Sequence, residues 1–135
     1  MGFMSEVDGY ILRIATKHWV NQVFSMAIYY TNMRKKWKRG QTVLFIHKTN
    51  VGDALVGYGL IEEACKKDEL SDQDKHECER GSWKRAIEFR YVKEFDKPLA
   101  IKDTFLKGSK LRGRYFHGLK LGKSQLEAIL AQAEA

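Results

Sequence analysis

The sequence predicts an α+β fold, a small mixed sheet or partly closed barrel with helices at its ends. Three observations lead there. Stretches with strand-like alternation recur about five times along the chain. Helical spacing is confined to one early segment and to the C-terminal one. No regular alternation of strand and helix marks out repeated βαβ units. The 135 residues are enough for one domain with a core, and 44% hydrophobic with 12% aromatic residues is a globular composition.

Residues 1–9 are expected to form a flexible lead. "YILRIATK", Tyr10 to Lys17, alternates and reads as the first strand. "HWVNQVFSM" follows, with Trp19, Val20, Val23 and Phe24 at helical spacing. "AIYYTN" is ambiguous, being β-rich but continuous with the helical pattern. "MRKKWKRGQ" reads as a basic loop closing on Gly40. "TVLFIHK", Thr42 to Lys48, is a clear strand, and "TNVGD" has turn chemistry. "ALVGYGLIEEA" is the next strand, its glycines pointing to a bulge or a close backbone approach, and the two strands form a hairpin. Residues 65–82 read as a charged surface excursion, partly helical. Trp83 to Phe95 alternates strongly as a long strand, and Pro98 marks its break. "LAIKDTFL" is a short helix or turn, "LRGRYFHG" a short strand or extended segment, and "KSQLEAILAQAEA" the terminal helix.

The net charge of +7 is unevenly spread. From Gly9 to Gly52 there are eight Lys and Arg and no acid; from Lys102 to Lys123 there are seven against Asp103 alone. Between them, Glu62 to Ser82 carries eight acids and four bases. Two basic blocks brought together would form a face suited to a polyanion; kept apart, they are an ordinary solvated surface. No apolar run is long enough for a membrane helix, and no signal peptide is visible. Two cysteines make no disulfide framework, so a cytoplasmic, reducing setting is expected.

"HGLKLGKSQLEAIL" ends like a phosphate-binding P-loop, but Gly118 and Gly122 stand one residue too close. With only eleven residues after Ser124, no later strand is expected, and nucleotide hydrolysis is not the expected activity. Ser124 and Glu127 instead fit a capping box opening the last helix. Cys65, His76 and Cys78 lack the paired spacing of a zinc site and read as surface thiols and a surface histidine, so neither metal nor cofactor is expected. The neighbouring acids of the polar block lie in a solvated loop, and no catalytic trio is legible. In "RKKWKRG" five cations surround Trp37. Such cations neutralise phosphates and an exposed Trp stacks on a base; equally, Trp37 can be a core anchor with solvated neighbours. Arg112, Arg114, Tyr115 and His117 interleave base and ring in the same way.

The order of these pieces resembles the PUA-like superfamily, and within it the EVE-type domains. A first strand leads into a Trp-containing helix, "IATKHW". A basic loop and glycine open the next strand, "WKRGQTVLFI", and a glycine-containing strand follows, "ALVGYGLIEE". A long later strand carries "AIEFRYV", then "KPLAI", and the chain closes on "RYFHGLKLGKSQLEAIL". The resemblance implies a bent, partly closed β-barrel with helices over its openings. YTH and EVE relatives look like readers that take a modified base into an aromatic pocket. PUA domains proper are similar in binding structured RNA, and ASCH relatives include small hydrolases of modified nucleosides.

The expected function is therefore a non-catalytic nucleic-acid-binding module, for RNA rather than DNA. Thr16, Lys17, Trp19, Asn32, Trp37, Tyr115 and His117 are the candidates for a base. Arg34, Lys35, Lys36, Lys38, Arg39, Arg112 and Arg114 are the candidates for phosphates. A hydrolase of a modified nucleoside, requiring a buried Lys or Glu in the pocket, and a protein-interaction or homodimer module are the alternatives.

Overall fold

The computed structural model describes residues 8–50, 52–108 and 116–134. Its strands are β1 (Gly9–Arg13), β2 (Ile28–Thr31), β3 (Thr42–Thr49), β4 (Gly52–Lys66), β5 (Arg85–Ala100) and β6 (Leu119–Leu121). Its helices are α1 (Lys17–Met26), α2 (Asp72–Gly81) and α3 (Lys123–Ala133). The strands form one six-stranded sheet in the order β2-β5-β4-β3-β1-β6, curled into a half-barrel. β1 runs parallel to β3, and the other neighbours are antiparallel.

Both faces of the sheet are covered. Ile11, Leu44, Ile46 and Leu55 face one core with Leu126 and Ile129 of α3. Leu12, Val43, Phe45 and Ile61 face the other with Val20 and Val23 of α1. This explains the unbroken apolar run of β3: a strand buried on both faces has no solvent side to alternate with. Where the ladder slips between Phe45 and Ile46, Val56 is the extra residue. A side chain at Gly57 would collide with the Lys93 carbonyl and the Phe24 ring, the close approach its glycine implied.

Several expectations change. Ala27 takes a left-handed conformation (φ 55°) that ends α1, so "IYYT" becomes strand β2. β5 does not stop at Pro98. It pairs Glu94 with Gly57 and Leu99 with Leu55, so residues 95–98 bulge opposite Val56. In a bulge a proline removes no ladder bond. The capping box at Ser124 does not form. α3 starts at Lys123 with Gly122 as its N-cap, and the Gly122 N–H donates to Gln125 Oε1 at 3.0 Å. β6 was not expected, and residues 111–115 of the expected short strand or extended segment lie outside the described residues.

The cysteines are the clearest correction. Neither is a surface thiol: Cys78 is 0% exposed and Cys65 8%. They lie in a third cluster with Ile28, Tyr30, Leu70 and Ala86. A helix read as solvated thus buries Cys78 against the sheet, because a few apolar residues suffice to dock it. Among the described residues no helix is long and apolar enough to cross a membrane.

Candidate functional site

The curled sheet leaves a cavity of about 580 Å³ between the end of β1 and β2. Arg13 to Thr16 contribute from the β1 exit, Trp19 and Gln22 from α1, and residues 29–33 from β2 and its exit. Trp83 and His117 complete the wall. Thr16 caps α1 by accepting the Trp19 N–H at 3.4 Å, which sets the helix and its tryptophan at the cavity. Trp19 meets Trp83 edge-on at 6.2 Å and 86°, and Tyr30 at 6.2 Å and 79°. Edge-to-face contacts between such rings hold them in place.

The polar groups are held as firmly. Tyr30 donates its hydroxyl to Asp74 Oδ1 at 2.8 Å, and burial together with Asp74 keeps that hydroxyl un-ionised. Burial pushes the Tyr29 hydroxyl up to about 12. Asn32 accepts the Lys84 N–H at 2.8 Å and donates to the Ser82 carbonyl at 3.1 Å, pinning the end of β2 to the turn before β5. His117 Nδ1 accepts the Arg13 N–H at 2.9 Å. A nitrogen that accepts carries no proton, so the neutral ring bears it on Nε2. Burial first, then Lys35 and Arg13, hold its pKa below the usual histidine value. Arg13 reaches Asp53 Oδ1 at 3.4 Å, while its Nε is buried without a hydrogen-bond partner.

No family model matches the chain, and no curated protein matches it. Solved structures do. The crystal structure of ASCH from Zymomonas mobilis superposes with a TM-score of 0.67 at 10% identity, over 93% of this chain and 96% of that one. Two mutants of that protein superpose with TM-scores of 0.67 and 0.69, also at 10% identity, covering 92% and 96% of this chain and 97% and 99% of theirs. The chain has the PUA-like fold of the ASCH domains. At this identity the likeness is one of fold. It lies with ASCH domains, whereas the sequence pieces pointed within the superfamily to EVE-type ones.

On this PUA-like frame, Thr16, Trp19, Asn32 and His117 of the predicted base-binding residues line the cavity. Lys17 and Trp37 are not among its lining residues. Lys17 is exposed on the first turn of α1. Trp37 packs on the core: it meets Tyr10 edge-on at 4.8 Å, and its Nε1 is buried. Tyr115, Arg112 and Arg114 lie outside the described residues. Arg34, Lys36 and Lys38 are exposed. Lys35 lies against Gly118, where a side chain would meet its Cε at 3.3 Å, and so stands beside His117. Arg39 is engaged with Glu62, its Nε 3.4 Å from the carboxylate and 3.2 Å from the carbonyl.

Arg13, Gln22, Tyr29, Tyr30, Met33 and Trp83 line the cavity and were not anticipated. Nothing local marks Trp83, which follows the acidic block in sequence and reaches the cavity only because β5 pairs with β2. His76 is exposed and stands apart from a different cluster, Glu63, Cys65 and Glu88, whose ligand atoms lie within 4.8 Å of one another. Burial, then Glu88, pushes the Cys65 thiol up to about 11, and burial with Glu63 raises the Glu88 carboxyl. The raised Cys65 thiol opposes the deprotonation that metal ligation requires.

Proposed function

We propose that the protein is a non-catalytic nucleic-acid-binding module for RNA, in which the cavity receives an unstacked base and the segment from Arg34 to Lys38 holds phosphates. The observation that carries this reading is the cavity itself: 580 Å³, with Trp19, Tyr29, Tyr30 and Trp83 in its wall and Arg13 at its margin. Unstacking a base costs a few kcal/mol, and rings positioned to stack on it recover that cost. The cations Arg34, Lys35, Lys36 and Lys38 come next in the chain after the lining residues Asn32 and Met33. RNA is favoured over DNA by the likeness to the PUA-like fold. A modified base is the finer form of the proposal.

The hydrolase reading asks for a buried Lys or Glu in the pocket. Among the described lining residues there is neither. The test is binding to single-stranded RNA at low salt. Affinity should fall linearly with salt on a logarithmic scale, and replacing Arg34, Lys35, Lys36 and Lys38 by Gln should flatten that slope by about 0.7 for each phosphate no longer neutralised. No affinity at low salt, or an unchanged slope in the variant, would defeat the proposal.

A further inference from the structure

We propose that the cavity takes a nucleotide together with its own phosphate, and that Arg13, Lys35 and His117 hold that phosphate. This rests on the cavity taking a base, as proposed above. Its volume of about 580 Å³ is within the range of about 300–1,000 Å³ that encloses a whole small molecule. The wall carries two sets of side chains. Trp19 meets Tyr30 and Trp83 edge-on, and these supply the rings. Arg13 and His117 are joined by the 2.9 Å bond from the Arg13 N–H to His117 Nδ1. The neutral ring thereby keeps its proton on Nε2, which has no partner among the described residues.

Lys35 is the third member. From Met33 to Trp37 the side chains alternate between half-buried and exposed, as an extended chain with one covered side does. Arg34 and Lys36 are exposed, whereas Lys35 is half-buried on the side of Met33, which lines the cavity. A side chain at Gly118 would meet Met33 Sδ at 3.2 Å and Lys35 Cε at 3.3 Å, so both lie beside the residue next to His117. Arg13 and Lys35 both disfavour a charge on His117, as nearby cations do. Asp53 offsets Arg13 at 3.4 Å, but Lys35 has no ion pair among the described residues. A half-buried cation without an acid, beside an arginine and an imidazole N–H, is a setting for an anion. Hydrogen bonds from charged donors to phosphate are the strong kind. Thr16, Thr31 and Asn32 can each donate or accept, so they favour no particular base, and the phosphate is the part recognised by charge.

The test titrates the full chain with the common ribonucleosides, their monophosphates, ribose phosphate and single-stranded RNA, followed by the indole N–H signals of Trp19 and Trp83. At least one monophosphate should bind about tenfold more tightly than its nucleoside and than ribose phosphate. Lys35→Gln and, separately, His117→Phe should each shrink that advantage. The advantage is a ratio within one preparation, so a partly unfolded variant does not mimic its loss. An unchanged advantage in both variants, or an equal loss in Lys36→Gln, would overturn the assignment. Nucleosides that bind as tightly as their monophosphates would overturn the phosphate site while leaving the base pocket standing. Ribose phosphate that binds as tightly as the monophosphates would mean that a phosphate is held without its base, and overturns it too. Binding of RNA but of no monophosphate would overturn it and leave the nucleic-acid reading standing. Absence of binding by every probe at low salt, RNA included, would defeat both.

Discussion

Trp37 sits among five cations, yet its ring turns inward onto Tyr10 and the second core cluster. Trp19, with one lysine nearby in sequence, is the ring that reaches the cavity. Trp37→Ala should cost about 3–5 kcal/mol of stability, read by urea unfolding. Trp19→Ala should in addition weaken RNA binding by about 1–3 kcal/mol, read by titration after correction for the folded fraction. His117 makes stability depend on pH. The folded ring resists protonation, whereas the unfolded ring takes a proton near 6.5. Its contribution is complete above that value and is lost as pH falls through it toward the lower folded pKa. Glu88 acts in the opposite sense: its raised carboxyl binds a proton more readily when folded, so acid favours the fold there, above the usual value of 4.5. Urea unfolding between about pH 7 and pH 5 should show falling stability in the native protein and a flatter profile in His117→Phe. The two thiols, buried and with raised pKa, should react with thiol reagents only as fast as the protein opens.

At the scale of elements, boundaries were set by single backbone groups. The terminal helix was legible from its spacing, but its cap was not. Ser-x-x-Glu and Gly-x-x-Gln overlap by two residues here, and the chain uses the second. Gln125→Ala should therefore lower stability by about 0.5–1 kcal/mol, whereas Ser124→Ala should leave it within about 0.5 kcal/mol, by thermal unfolding. The hairpin of β3 and β4 was legible because both strands and the turn between them carry local signals. β2 was ambiguous because its residues suit either state, and the left-handed Ala27 settles it without a glycine to announce it. Pro98 misled for a related reason. A proline breaks a ladder only where its N–H is required, and whether it is required depends on the partner strand.

For the whole molecule, the cavity depends on closure between distant parts of the chain. Asn32 makes that closure with two hydrogen bonds to the turn ahead of β5. Asn32→Ala should cost about 1–3 kcal/mol of stability and weaken RNA binding together, because β2 and Trp83 then lose their relative position. Unfolding curves and titrations on one preparation would check both. Charge is also arranged at this scale. Arg39 is engaged with Glu62, which Arg90 shares, so it adds less to a phosphate face than its neighbours.

The sequence by itself determined the class of fold, the hairpin, the first and last helices, and the basic segment beside β2. Those follow from local periodicity and composition, which record whether a residue faces core or solvent. Only the tertiary structure decided which rings line the cavity, that Trp37 serves the core, and that the cysteines are buried. Arg13, Trp19, Tyr29, Trp83 and His117 meet because the sheet order sets β2 at one edge and the curl turns it toward the end of β1. That pairing is a long-range choice among strands, and the local pattern of apolar and polar residues carries no record of it.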